Sequence, residues 1–274
     1  MQAAYELVIE PGRAERSYWG DLWRFRDLLY FLAYRDLLVR YKQTVIGVAW
    51  ALLRPALTMA VFVAFRRMTN LTASDVPDVI LVYAAVLPWQ FFSTALTEAS
   101  NSLIGNAHLI SKIYFPRLLV PAGAIATSFV GFAITLGLLT VLLIRYRFAP
   151  GWQILILPLF VVLTFAFSVG TGLLVAALNV KYRDFRYIVP FVVQFGLFIS
   201  PIAFQTSSVP AKWRVLYSLN PMAGIIDGYR WSILRGRTLL DPVTLGASVI
   251  VTLLCVALGV CYFRRTERSF ADVI

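Results

Sequence analysis

Apolar runs of about twenty residues recur along this chain, separated by short basic or proline-broken stretches. A helix needs about 20 mostly apolar residues to cross a bilayer. Six segments are read as spans on that basis: 45–65, 79–97, 118–144, 152–178, 187–204 and 243–263. The second is "VILVYAAVLPWQFFSTALT" and the fifth contains "IVPFVVQFGLFIS". Ahead of the first span, Leu22, Phe25, Leu29 and Leu32 recur at steps of three and four, while Arg24, Asp27 and Arg35 fall largely on other faces. That spacing predicts an amphipathic helix over 19–42 lying along the membrane interface, with Trp19, Trp23, Tyr30 and Tyr34 at headgroup depth. The segment 207–235 is half apolar and broken by Pro210, Pro221 and Gly224. It predicts short re-entrant helices, because irregular backbone at membrane depth needs protein or a water-filled cavity beside it.

Composition agrees with a membrane class. Hydrophobic residues make up 59% of the 274 and charged residues 14%, with a mean hydropathy of +0.75. Soluble domains are about a quarter charged. The fold class expected is therefore all-α integral membrane, with six transmembrane helices, the N-terminal interfacial helix and the re-entrant pair before the last span. The domain plan is a flexible N-terminus over 1–18, the interfacial helix over 19–42, a membrane domain over 43–263 and a tail over 264–274. The first 20 residues have no apolar core, so the first span is expected to act as an uncleaved signal.

Charge adds an orientation. The formal net charge is +11, and 21 of the 25 basic residues are Arg. With six spans, 15 Lys and Arg fall on the side of the two termini and 9 on the other, with Arg54 inside a span. That bias places both termini in the cytoplasm. Basic flanks facing anionic lipid account for the charge better than nucleic-acid binding.

Candidate chemistry is sparse. Cys255 and Cys261 form no chelating or disulfide pattern, and the single His108 cannot build a zinc site alone. There is no G-x-x-x-x-G-K-[ST] phosphate loop, and Glu98 and Asp227 are weak candidates for an intramembrane carboxylate. No convergent set of acids or histidines marks an enzyme. The chain is expected to be a pore or scaffold whose energy source lies on another polypeptide. Arg54 is the exception in depth: a charge mid-span faces a cavity, a partner or a pathway, or it binds carbonyls of a neighbouring helix. Arg35, Arg40 and Lys42 precede the span closely and can snorkel to headgroups. Between the second and third spans, "SLIGNAHLISKIYFPR" predicts a short helix with an apolar knob, for a partner protein or the lipid surface.

Four stretches carry a family resemblance: "RDLLVRYKQTVIGVAWALLRPALTM", "LISKIYFPRLLVP", "NVKYRDFRYIVPFVVQFGLFISPIAF" and "LNPMAGIIDGYRWSILRG". In order and spacing over 35–236 the chain resembles the permease subunits of type 2 ATP-binding-cassette polysaccharide exporters, those for O-antigen, capsule and teichoic acid. The resemblance implies a homodimer in the inner membrane with two copies of a cytoplasmic ATPase, which binds the ATP and Mg; no cofactor is implied in this chain. It implies a coupling helix over 102–114, with Leu103, His108, Ile110, Lys112, Ile113 and Tyr114 at the ATPase. The segment 207–235 matches the family's outer-side helices, with Trp213, Tyr217, Asn220, Pro221, Met222 and Tyr229 as gate candidates. Substrate would be a glycan on undecaprenyl diphosphate, its anionic head met at entry by Arg35, Arg40, Lys42 and Arg54. Tyr83, Trp89, Phe91 and Phe92 are candidates to line the channel, or to pack in the core. A permease for a small amphiphile, a lipid-linked glycosyltransferase and a passive assembly protein are the rival readings.

Overall fold

The computed structural model describes residues 14–42, 47–69, 76–113 and 115–270. Within them the chain is all helical. Helices α1 (Ala14–Arg24) and α2 (Arg26–Lys42) lead into α3 (Gly47–Met68) and α4 (Asp78–Gly105). A short α5 (Ala107–Lys112) precedes α6 (Leu119–Arg145), and a 3-10 turn (Trp152–Ile156) opens α7 (Leu157–Lys181). Then come α8 (Phe185–Ile199), α9 (Ala211–Ser218), α10 (Pro221–Ile233) and α11 (Pro242–Thr266), closed by a 3-10 turn over Glu267–Ser269.

Five segments among the described residues are long and apolar enough to cross a membrane: Ala49–Met68, Asp78–Gly105, Leu119–Arg145, Trp152–Lys181 and Pro242–Thr266. The expectation of six is corrected by α8. It has 15 residues, which at 1.5 Å per residue is about 22 Å, short of a hydrocarbon core of about 30 Å. The cause is local. Ser200 has φ −74° and ψ 150°, the extended conformation that a following proline enforces, and here Pro201 follows. Counting apolar residues through to 204 overran that stop.

The leader is corrected as well. It is two helices that meet at Phe25, not one interfacial helix. On α2 the apolar residues do not form a single stripe. Leu32 is buried, with Leu28 and Leu29 partly so, whereas Tyr30, Phe31, Tyr34, Leu38 and Val39 are exposed. The buried side packs on α6, where Gly123 lies beneath Leu32 and the Thr127 hydroxyl donates to the Ala33 carbonyl at 3.4 Å. α2 is thus a bundle helix that keeps a second apolar face outward.

The expected re-entrant pair also takes another form. α9 is eight residues long and mostly exposed, but α10 is buried continuously from Met222 to Arg230. It sits inside the bundle against α4, α7 and α11. Two glycines one turn apart make this possible. A Cβ at Gly224 would strike Ser248 and the Thr244 carbonyl of α11, and one at Gly228 would strike the Phe160 ring of α7. Small residues let helix backbones approach this closely.

α4 is the axis of the bundle: 83% of its apolar window is buried, against 22–33% for the other four long helices. One end of the bundle, called here the terminal end, gathers Leu32, Leu103, Ile110, Phe115, Leu173, Phe263 and Phe270 into one apolar cluster. The Tyr18 hydroxyl donates to Glu267 there at 2.8 Å, so the first and last described segments meet. At the opposite end Arg66 pairs with Asp78 at 3.0 Å and donates to the Ala203 carbonyl at 2.8 Å. The fully buried Arg230 donates to the carbonyls of Leu81 (3.2 Å), Ile202 (2.8 Å) and Phe204 (2.9 Å) beside it.

Candidate functional site

A cavity of about 440 Å³ opens between α2, α3, α4 and α6. Its walls follow from helical spacing. Gln90, Thr94 and Glu98 recur every four residues on α4, so they stack on one face; Phe91 stands beside them. α6 contributes Ser128, Phe132 and Thr135, with Gly131 between them. α3 contributes Trp50, Ala51 and Arg54, and α2 contributes Arg40 from its last turn. Pro55 lies inside α3. With no N–H it leaves the carbonyl four residues back without its helical donor, and that residue is Ala51, on the cavity wall.

The charges are arranged unequally. Arg40 is ion-paired with Glu98 across the α2–α4 junction. Arg54 is exposed to the cavity, and its guanidinium has no hydrogen-bond or ion-pair partner among the described residues. The cavity therefore holds two guanidinium groups against one carboxylate, with an aromatic wall of Trp50, Phe91 and Phe132. Phe91 is fixed from behind, packed 5.3 Å from the Phe132 ring, 6.0 Å from Phe129 and 6.5 Å from Phe165 between ring centres. Such a site suits a ligand with an anionic head and an adjoining flat or apolar part.

Of the four expected entry residues, the structure brings Arg40 and Arg54 together and leaves two aside. Arg35 turns to the α4–α5 junction, donating to Asp36 (3.0 and 2.7 Å) and to the Asn106 side-chain oxygen at 2.6 Å. Lys42 is exposed at the end of α2 and does not line the cavity. Of the four channel aromatics only Phe91 reaches it. Phe92 stacks on Phe167 at 4.7 Å, Trp89 packs on Phe92 at 5.7 Å and on Gly196 of α8, and the Tyr83 hydroxyl donates to the Thr135 carbonyl at 2.9 Å. All three are buried in the main core. Gln90, Thr94, Trp50 and the α6 residues were not expected. The four-residue recurrence of Gln90, Thr94 and Glu98 within an apolar run was the signal for them.

The expected ATPase-facing residues divide by exposure at the terminal end. Leu103 and Ile110 point into the apolar cluster, and His108, Lys112 and Ile113 are exposed. Tyr114 lies outside the described residues. Arg35, Asn106, His108, Leu109, Lys112 and Ile113 border a shallow groove of about 330 Å³ beside α5. The gate candidates all lie at the opposite end. Trp213 is exposed, and the Tyr217 hydroxyl donates to the Ile199 carbonyl at 2.9 Å. Asn220 caps α10, accepting from the Met222 amide at 3.1 Å, and donates to the Ser200 hydroxyl at 3.4 Å. Pro221 occupies the first turn of α10, Met222 is buried, and the Tyr229 hydroxyl accepts from Thr164 at 3.4 Å. The Tyr217 and Asn220 contacts tie α9 and the start of α10 to the end of α8. Among the described residues no group of three or more His, Cys, Asp or Glu could hold a metal ion.

Comparison with known proteins bears on what this cavity serves. Residues 27–234 match the family described as ABC-2 type transporter. The O-antigen export system permease protein RfbA of Myxococcus xanthus is 29% identical over 259 residues, covering 93% of this chain and 98% of that protein. An RfbA of Klebsiella pneumoniae is 25% identical over 256 residues (90% and 95%). The polysialic acid transport protein KpsM of Escherichia coli is 20% identical over 237 residues (86% and 92%).

Proposed function

The chain belongs to the ABC-2 type transporter family, as a transport subunit and not an enzyme, and from that premise we propose that it exports an O-antigen-like polysaccharide. In this reading the glycan is carried on undecaprenyl diphosphate and moves from the cytoplasmic to the outer side of the inner membrane. The chain works as a homodimer with two copies of a cytoplasmic ATPase, which bind ATP and Mg. The terminal end faces the cytoplasm, as the excess of Arg and Lys on that side favours. The exposed His108, Lys112 and Ile113 then meet the ATPase.

The observation that carries this reading is the cavity holding Arg40 and Arg54 beside Phe91, Phe132 and Trp50. A guanidinium binds phosphate oxygens through a rigid fork of N–H donors. With no ligand, Glu98 keeps Arg40 neutralised. A diphosphate, with more charge than one carboxylate, is drawn first to the unpaired Arg54 and then competes with Glu98 for Arg40. The aromatic wall gives the first sugar or the prenyl chain a face to lie on. Gln90 and Thr94 supply polar contacts without further charge. A site of this chemistry selects the anionic lipid head and not the sugar sequence.

The test is reconstitution of the chain with its ATPase in nanodiscs, measuring ATP hydrolysis with and without lipid-diphosphate glycan. Glycan stimulation that falls at least tenfold in Arg54→Ala, with the complex still assembled, is the expected result. Undiminished stimulation in that variant removes the cavity from the pathway, and stimulation by small amphiphiles alone removes the glycan.

A further inference from the structure

A second cavity, of about 710 Å³, lies at the terminal end, away from the proposed entry. It is built around Glu267. The Tyr18 hydroxyl donates to one carboxylate oxygen at 2.8 Å and the Arg117 amide to the other at 2.7 Å; the Arg117 guanidinium bonds the Glu267 carbonyl. The Arg264 guanidinium lies 4.8 Å from the centre of the Tyr18 ring. Three distant segments, α1, the turn before α6 and the end of α11, are thereby held together around one opening. Both Glu267 oxygens accept from protein donors. Four guanidinium groups border the cavity, those of Arg117, Arg264, Arg265 and Arg268, against the carboxylates of Asp21 and Glu267.

Basic residues flank membrane helices for topology alone, and such residues need not converge. Here they do, and α11 leads an apolar track to them. Ile250, Leu254, Leu258, Cys261 and Arg265 follow at steps of four, four, three and four, which keeps them on one face of the helix. The first three are 55–60% exposed, Cys261 and Arg265 are exposed, and both border the cavity. An apolar stripe of about 12 Å at 1.5 Å per residue, close to the depth of one leaflet of a core of about 30 Å, ending at clustered arginines has the layout of a phospholipid: acyl chains along the stripe, phosphate at the basic end.

We propose that this cavity binds a phosphate group, carried as the headgroup of an anionic phospholipid whose acyl chains lie along that face of α11. The site is separate from the entry cavity and does not depend on the cargo. It would make the junction of α1, α6 and α11 sensitive to the lipid around it.

Cys261 provides the probe. In the full chain carrying Cys255→Ala, the labelling rate of Cys261 by a neutral maleimide is measured in nanodiscs of phosphatidylcholine, alone or mixed with phosphatidylglycerol. An anionic surface slows thiol labelling by itself, since it raises the local proton concentration, so the readout is the difference from Arg265→Gln. Arg265 is exposed and takes no part in the Glu267 network, so this variant keeps the fold; Arg265→Lys, which keeps the charge, is the second variant. Phosphatidylglycerol is expected to slow labelling several-fold more in the parent and in Arg265→Lys than in Arg265→Gln. Inorganic phosphate added to phosphatidylcholine discs separates the sources. No slowing there assigns the phosphate to the lipid, and equal slowing supports the anion site while assigning it to soluble phosphate. Equal slowing of parent and Arg265→Gln by phosphatidylglycerol, with no effect of phosphate, overturns the proposal. So does protection that appears only when the ATPase is added, which would make this a protein-docking surface.

Discussion

Replacing Arg230 with methionine tests what holds the opposite end of the bundle. The side chain is fully buried and donates to three carbonyls: Leu81 on α4, and Ile202 and Phe204 on the segment after α8. That segment leaves α8 at Ser200 and Pro201 without regular structure, so these bonds stand in for a helical ladder. Hydrogen bonds to a charged donor contribute about 1.5–3 kcal/mol each, a gross loss of roughly 5–9 kcal/mol for three. Burying a guanidinium costs several kcal/mol in the other direction, which methionine recovers. Asp227, one turn earlier on α10, is also buried and loses the nearby cation. Breaking one side of a buried charge arrangement costs about 3–5 kcal/mol, and that is the loss expected here. The assay is denaturant unfolding of purified protein in mixed micelles, with Arg230→Met compared to Arg230→Met/Asp227→Asn. The double variant should recover part of the loss. A single-variant loss below about 1 kcal/mol, or no recovery in the double, would refute the idea that Arg230 anchors this segment.

Further substitutions probe separate joints. Asp241 caps α11, accepting from the Val243 and Thr244 amides (3.4 and 3.0 Å), and the Thr244 hydroxyl hydrogen bond and those amides hold its carboxyl below the usual range. Asp241→Ala should cost about 1 kcal/mol at neutral pH. A depressed carboxyl pKa contributes stability above the unfolded value, about 3.9, and loses it as pH falls through the folded value. The gap between wild type and variant should therefore close in melts below about pH 4, and a gap unchanged with pH contradicts the cap. Gly228→Leu forces a side chain into Phe160; a loss of about 1–3 kcal/mol in thermal melts is expected, and an unchanged melt would place α10 elsewhere. Glu98→Gln removes the carboxylate that pairs with Arg40 and should raise the apparent affinity for lipid-diphosphate glycan in the reconstituted ATPase assay, whereas lowered affinity would make Glu98 a substrate contact.

The five long helices were legible because each is a continuous apolar run, and their ends fall within about four residues of the hydropathy boundaries except for α4, which runs on to Gly105 beyond the expected end at 97. The failures share a cause: hydropathy reports composition, while length and face are set by backbone and neighbours. At α8 the Ser200–Pro201 step ends the helix with apolar residues still to come. At α10, Asp227 and Arg230 lower the hydropathy of a helix that is nonetheless buried, because their charges are met inside the fold. On α2, spacing found the Leu32 face and could not reveal that Phe31, Leu38 and Val39 stay uncovered.

The same limit explains the cavity between α2, α3, α4 and α6. Position and charge pointed to Arg35, Arg40, Lys42 and Arg54 alike, and could not tell that only Arg40 and Arg54 line the cavity. The aromatics could not be sorted, because apolar residues occupy every other face of α4 as well as part of the cavity side. Its polar residues Gln90, Thr94 and Glu98 are only partly buried and share one face. They line the cavity, where Glu98 pairs with Arg40, and Trp89 and Phe92 lie towards α8 and α7. The central helix thus presents its polar minority to the cavity. This links the stability of the core to the state of the cavity: an anionic ligand that took Arg40 from Glu98 would release one of the contacts that sets the rotation of α4 against α2.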